Sequence, residues 1–519
     1  MRLSWGDDWP GAAVAVAAAI LIVPLWVVDS PAMPDYPAHL ATFFLIAGGV
    51  RDPVLSNFYH LEWAPIPNLA FEILVPVMGR VMSLATAIKL LLSASLAMWT
   101  IGPALINRAL HGRFGIAALG AVFFAYNDNF MWGFFNYYFA AGLALVAFAA
   151  WIASRAWNVS ARVASFALIV IAIYFAHVFG AALFLLMIGC YEMVRFAERK
   201  RFTVRAALDA FWPITAIALP VVIAFLFFKP SGTDNHTAFN LLDTLHDRFE
   251  ALMAVSFDRP AYVTLAALIG FLAFAAWRGW ITFHRRMLPL LAVLVVLTVL
   301  MPEEAMGGWG VDLRLPAVVG ALLFASARLR LPTPGEVALA AAGLGAVIFS
   351  SATLAGNWRY YDVRFHEFRE ATGDLPRGVR LMTVLDGDAI GKASDQPFWH
   401  LAEFAVIDRA AFTPLLFTTK GQHVVRLAPG LEHSAAASAQ QGSPPDVSEL
   451  DDLIAGTPDG DWDIGHVFPY LLYFPCKYDE VVLIHLNGTR SPVSEVLHLR
   501  HNGSFFALYD IDHSACLKK

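Results

Sequence analysis

The chain has 519 residues, 58% of them hydrophobic and only 15% charged, with a mean hydropathy of +0.58. Ordinary soluble domains are about 25% charged, so this composition excludes a single water-soluble core. The net charge of −6 becomes informative only when it is divided between the two sides of a membrane.

The opening MRLSWGDDWP sets Arg2 alone against Asp7 and Asp8. That is a poor start for a cleaved signal peptide, so the first helix is expected to be retained. GAAVAVAAAILIVPLWVV (11–28) has no amphipathic stripe and reads as a membrane span rather than a half-buried helix. A bilayer core takes about 20 apolar residues per helix. Repeated runs of that kind predict about eleven spans, near 11–28, 86–107, 114–127, 134–154, 163–177, 178–194, 207–228, 260–277, 287–301, 315–327 and 337–355.

The breaks between spans alternate in character. NRALHGR (107–113), RAWNVSAR (155–162), RFAERKRFTVR (195–205), RGWITFHRR (278–286) and RLR (328–330) are basic and are expected to face the cytoplasm. DSPAMPDYPAH, YNDNFMWGFFN, the stretch 229–260 and MPEEAMGGWGVDLR are acidic, aromatic or histidine-bearing and belong outside. The apolar stretch 64–82 would invert every later loop if it crossed, so it reads as a helix against the outer face. NLLDTLHDRFEALMAVSFDRP (240–260) is amphipathic. It reads as a helix at the outer surface, with packing under the terminal domain as the alternative.

From residue 356 the composition changes. VRLMTVL (379–385), DEVVLIHL (479–486) and SFFALYDI (504–511) read as strands of a soluble α/β domain, and HSAAASAQQGSPPD (433–446) reads as a loop. The expected fold class is therefore a polytopic α-helical membrane protein with a C-terminal soluble α/β domain. Residues 1–355 form the membrane part, with a first outer loop at 29–85, and residues 356–519 form an extracytoplasmic domain. Cys476 and Cys516 both fall in that domain, where an oxidising compartment lets them pair as a disulfide, whereas Cys190 lies in an apolar run.

The polar residues of chemical interest gather on the outer side: Asp29, Asp35, His39, Glu62, Asp128, Asn136, His177, His236, Glu303, Glu304, Asp312 and Arg314. Few ionisable residues fall inside spans, which argues against a proton relay across the bilayer. Asp35 and His39, four apart in MPDYPAHLA, share a face of a helix that starts at Tyr36. Asp35 then reads either as the N-cap of that helix or as a functional carboxylate. Arg314 reads as an anion-binding group, as a partner of Asp312 or as a snorkelling cation. His177 reads as an anion-site donor or as a packed histidine. No zinc spacing supports His39 as a metal ligand beside Asp35 and Asp29. No phosphate-binding glycine loop or nucleophile elbow is present. No cofactor and no nucleic-acid partner are expected, with a divalent metal as the less favoured alternative.

A first membrane helix followed by a long outer loop bearing an Asp, many further spans and a soluble outer domain resembles the GT-C superfamily of polyprenyl-phosphate-sugar-dependent glycosyltransferases. MPDYPAHLATFFL, WAPIPNLAFEILVP, GFFNYYFAAGLAL and GWGVDLRLP look like phrases of its bacterial members, and the resemblance covers roughly residues 10–355. It implies a multi-pass protein of the bacterial inner membrane with its terminal domain in the periplasm. It implies transfer of a sugar from a polyprenyl-phosphate donor to a glycan or lipid-linked acceptor, with Asp35 as general base. Asp29 is the alternative base, because the family often shows two adjacent acids there and this chain has a separated pair. Arg314 and His177 would meet the donor phosphate, and Glu62, Asp128, Asn136 and Asp312 would line the acceptor side. The competing readings are a transporter or flippase of lipid-linked sugars and a non-catalytic glycan-assembly subunit.

Overall fold

The computed structural model describes residues 8–200, 202–228, 267, 270–303, 305, 308–386, 396–436, 444–455, 470–485 and 494–517. His236, Glu304 and the amphipathic segment 240–260 lie outside the described residues, as do residues 437–443 of the expected loop.

Seven helices among the described residues are long and apolar enough to cross a membrane. They are α1 (Trp9–Trp26), α4 (Leu84–His111), α6 (Phe135–Ala153), α7 (Val159–Ala176), α8 (Val178–Glu198), α9 (Val204–Phe228) and α12 (Thr333–Ala371). Shorter helices α2 (Tyr36–Ala47), α3 (Ala70–Met78) and α5 (Asp128–Trp132) lie in the outer loops, and α10 (Leu288–Leu300) and α11 (Pro316–Ser326) complete the bundle. Of the span expected at 260–277, residues 270–277 are described and helical. Side chains such as Leu168, Leu226 and Phe227 stay exposed, as helices facing lipid require.

The crossing expected at 114–127 is a 3-10 helix, Ile116–Phe124. Its rise of about 2.0 Å per residue carries nine residues further than an α-helix would. It is wedged against α11 through paired small residues. A Cβ on Gly120 would lie 2.2 Å from the Phe324 ring, and one on Gly320 would lie 1.9 Å from the Phe124 ring.

The alternating breaks sort to opposite ends of the bundle. At one end Arg195 meets Glu192 at 2.6 Å and Arg286 meets Glu198 at 2.7 Å. Arg162 lies 3.5 Å from the Trp151 ring centroid. Strands β2 (Ile281–Phe283) and β3 (Ala327–Leu329) pair antiparallel there, and Asn107 donates to the carbonyls of Ala325 and Ala327. The opposite end carries Asp29, Asp35, the start of α6, His177 and Arg314.

The terminal domain is built on a four-stranded sheet in the order β4-β6-β8-β7. Strand β4 (Leu381–Leu385) runs parallel to β6 (Glu480–Ile484), while β8 (Phe506–Ile511) is antiparallel to both β6 and β7 (Leu497–Asn502). The expected strands at 379–385, 479–486 and 504–511 correspond to β4, β6 and β8. Cys476 and Cys516 form a disulfide with Cα atoms 5.1 Å apart.

Two features depart from the expected division at 355/356. First, α12 runs unbroken through that point to Ala371, because its apolar bundle face continues as Trp358, Tyr361, Phe365 and Phe368, all buried. Second, the first outer loop belongs to the terminal domain's core. Leu55, Phe58 and Tyr59 bury against Met382, Val384 and Phe412. Strand β1 (Tyr59–Leu61) also pairs antiparallel with β5 (Val425–Leu427). The terminal domain thereby sits over the end of the bundle that carries Asp35, His177 and Arg314.

Candidate active site between the bundle and the terminal domain

Between the bundle end and the terminal domain lies a cavity of about 600 Å³, and Asp35, His39, Asn136, His177 and Arg314 are all on its wall. Asp29, Glu62, Asp128 and Asp312 are not among its lining residues.

Asp35 stands at the N-cap position of α2, but its side chain makes no capping bond. Its N–H donates to the Trp132 carbonyl at 3.1 Å and its carbonyl accepts from the His39 N–H at 2.9 Å. The backbone is thus fixed at both ends while the carboxylate keeps 16% of its surface and lines the cavity. The helix-cap reading of Asp35 is corrected accordingly. Gly133, with φ +99°, makes room for this placement, since a Cβ there would lie 3.0 Å from the Asp35 Cβ. Burial raises the Asp35 pKa to about 6 from 3.8, and His400 opposes the rise.

His39 shares the cavity wall, but one ring nitrogen is already engaged: Nε2 lies 3.1 Å from the Gly133 carbonyl, which assigns the proton to Nε2. The ring stacks on Phe135 at 4.5 Å. Burial, helped by His423, pulls its pKa down to about 3, so the imidazole is neutral at physiological pH.

Asp29 is displaced to the surface. Its side chain is 79% exposed and pairs with His366 at 3.1 Å. Asp362 spends both oxygens on the N–H groups of Asp29 and Ser30, so this cluster fastens the end of α1 to α12. Asp29, Asp362 and His366 bring ligand atoms within 4.8 Å of one another, away from the cavity. Glu62 pairs with Arg426 at 3.2 Å and is 57% exposed. Asp312 is buried, and its Oδ1 accepts from the Leu313 N–H. Asn136 lines the cavity but also holds α3 in place: it accepts from the Phe71 N–H, and donates to the Asn68 carbonyl and to Glu72 at 2.8 Å.

Arg314 is 8% exposed, yet its guanidinium forms no ion pair among the described residues. Among the described residues its Nε has no hydrogen-bond partner, and the guanidinium donates from Nη2 to the Trp309 carbonyl at 3.5 Å. It lies 4.5 Å from the Phe179 ring centroid and 5.4 Å from that of Tyr137. Burial pushes its pKa down to about 10, with Tyr137 and Asp312 acting against the fall. A buried, still-charged cation facing a cavity can receive an anion there. His177, the single extended residue between α7 and α8, accepts from the Phe179 N–H through Nδ1 at 3.2 Å. Burial and then Arg314 hold its pKa well below the usual range. It is neutral, and its Nε2 is left to carry the proton.

Several wall residues were not anticipated. Three half-buried indoles converge beside Asp35, with Trp132 lying 4.9 Å from Trp309 and 5.7 Å from Trp399. His39, His400 and His423 surround Phe417 at ring distances of 5.0, 5.3 and 5.2 Å. Only PFWHLAEF (397–404), with its His-x-x-Glu in an apolar setting, offered a signal for His400. Nothing local connects it to MPDYPAHLA.

The fold and cavity define a polytopic helical membrane protein with a largely apolar cavity, bearing a few polar groups, between the bundle and a C-terminal α/β domain. No protein-family model matches the sequence, and no curated protein does. Among solved structures the chain is similar to the crystal structure of ArnT from Cupriavidus metallidurans bound to undecaprenyl phosphate. The alignment covers 97% of this chain and 98% of that one, at 13% identity and a TM-score of 0.45.

Proposed function

We propose that this protein is an integral membrane glycosyltransferase that moves a sugar from a polyprenyl-phosphate donor to a glycan or lipid-linked acceptor on the extracytoplasmic side of the bacterial inner membrane. The observation that carries the proposal is one cavity walled by both a carboxylate with no bond to its helix, Asp35, and a buried cation, Arg314, that forms no salt bridge among the described residues. Glycosyl transfer needs both groups. The acceptor alcohol is a weak nucleophile, so Asp35 takes its proton as the oxygen attacks the anomeric carbon, an aid worth about 10²–10⁴ in rate. The bond from that carbon to the phosphate oxygen breaks with its electron pair, and Arg314 with the neutral His177 N–H meets the charge that develops. Attack opposite the departing phosphate inverts the anomeric centre. The terminal domain closes the site and supplies part of the acceptor side.

The test is glycan profiling of cells lacking the protein, complemented with the wild type or Asp35→Asn at equal membrane abundance. Loss of a sugar that Asp35→Asn fails to restore supports the reading. Full rescue by Asp35→Asn would remove Asp35 as base and leave Asp29 as base or the transporter reading in its place. Binding of undecaprenyl phosphate to the purified protein in nanodiscs tests the phosphate half of the site directly.

A further inference from the structure

The buried groups around Asp35 include a pair that the proposed chemistry leaves unused. His400 is 4% exposed and Glu403, one turn on, 1%. His400 Nε2 lies 3.8 Å from Asp35 Oδ1, and its Nδ1 lies 3.7 Å from Glu403 Oε1. Neither Glu403 oxygen has a hydrogen-bond partner, nor does His400 Nδ1. A buried carboxylate without donors is costly unless a cation stands beside it, and His400 is the one cation among the described residues at ion-pair distance from Glu403. Two carboxylates therefore flank one imidazole.

We propose that His400, anchored by Glu403, is a positioning residue for Asp35: its imidazolium keeps the Asp35 carboxylate ionised and directed into the cavity, so the terminal domain completes the site. The inference deepens the reading of Asp35 as a general base and rests on it for its catalytic consequence. The other titratable groups facing the trio are accounted for. His39 from α2 and His423 from the loop before β5 are both pulled down by burial, His423 to about 4. They are neutral and supply no charge. The Tyr59 and Tyr470 phenols are raised by burial and by Glu403, and so stay protonated. Burial works against the charge on His400, but Glu403 and Asp35 outweigh it and raise its pKa.

The experiment follows Asp35 itself. A hydrophobic carbodiimide reacts with a protonated buried carboxyl, and peptide mass spectrometry locates the adduct. Labelling of Asp35 in the detergent-purified full chain is measured against pH. The wild-type midpoint is expected near 6. In His400→Gln the midpoint moves up by roughly one pH unit, the low end of what an adjacent opposite charge imposes. Glu403→Gln moves it in the same direction, by releasing the proton from His400, and His423→Gln leaves it in place. An unmoved midpoint in monodisperse His400→Gln overturns the proposal, as does an equal shift in His423→Gln or the absence of Asp35 labelling at every pH. Should His400→Gln fail to fold, an unmoved midpoint in Glu403→Gln has the same force. Labelling requires no sugar donor, so the pairing can stand while the glycosyltransferase reading falls, or the reverse.

Discussion

Replacing Arg314 with methionine separates its effect on stability from its effect on binding. In the unliganded protein the guanidinium is 8% exposed, and its pKa of about 10 against an ordinary 12.5 corresponds to about 3 kcal/mol at about 1.4 kcal/mol per pH unit. Methionine removes that cost. It also removes the contacts with the Phe179 and Tyr137 rings, worth about 2 kcal/mol each when desolvated. The two terms nearly cancel, so the free protein should change by no more than about 1 kcal/mol and melt at nearly the wild-type temperature. Polyprenyl-phosphate binding should fall steeply. Truncating one partner of a buried, hydrogen-bonded charge pair costs about 2–5 kcal/mol, a loss of roughly 30-fold or more in affinity. Thermal unfolding in detergent and native mass spectrometry with lipid titration read the two effects on the same preparation. A variant that melts well below the wild type while binding polyprenyl phosphate equally would show that Arg314 is structural and refute its place as the phosphate receptor.

Two further outcomes follow from the buried acids. The Asp35 pKa is raised to about 6 from 3.8. The stability this brings is full below pH 3.8 and is lost as pH rises through about 6, while the ionised base appears over that same rise. Transfer activity should therefore climb with pH through about 6, and Asp35→Asn should be inactive yet at least as stable as the wild type at pH 8, with the stability difference vanishing near pH 4. Glu72 is raised to about 7 by burial, against the opposing bond from Asn136, so it favours the folded state below pH 4.5 and loses that contribution as pH passes 7. Glu72→Gln should flatten the stability profile between pH 5 and 8. Asn136→Ala, which strands the Phe71 N–H and Glu72, should cost about 2–4 kcal/mol, both read by melting temperature against pH.

The sequence by itself determined the membrane character and the long apolar helices, because hydropathy over about 20 residues is a local property. It also placed β4, β6 and β8, whose buried runs of Val, Ile, Leu and Phe need no partner to be recognised. Asp35 and Arg314 were legible for a similar reason: each stands in a short polar phrase where a span ends. Tertiary structure decided which of the outer polar groups share a cavity. Asp29 and Asp35 look equivalent along the chain, yet one is held at the surface by His366 and the other is enclosed beside His400. Asn136 and Glu72 form a structural pair across two helices, and Glu62 is drawn to Arg426 by the pairing of β1 with β5. His400, with Glu403 beside it, meets Asp35 only because the first outer loop is packed into the terminal domain's core. A contact between segments so far apart in sequence is set by long-range packing, and no local pattern of residues encodes it.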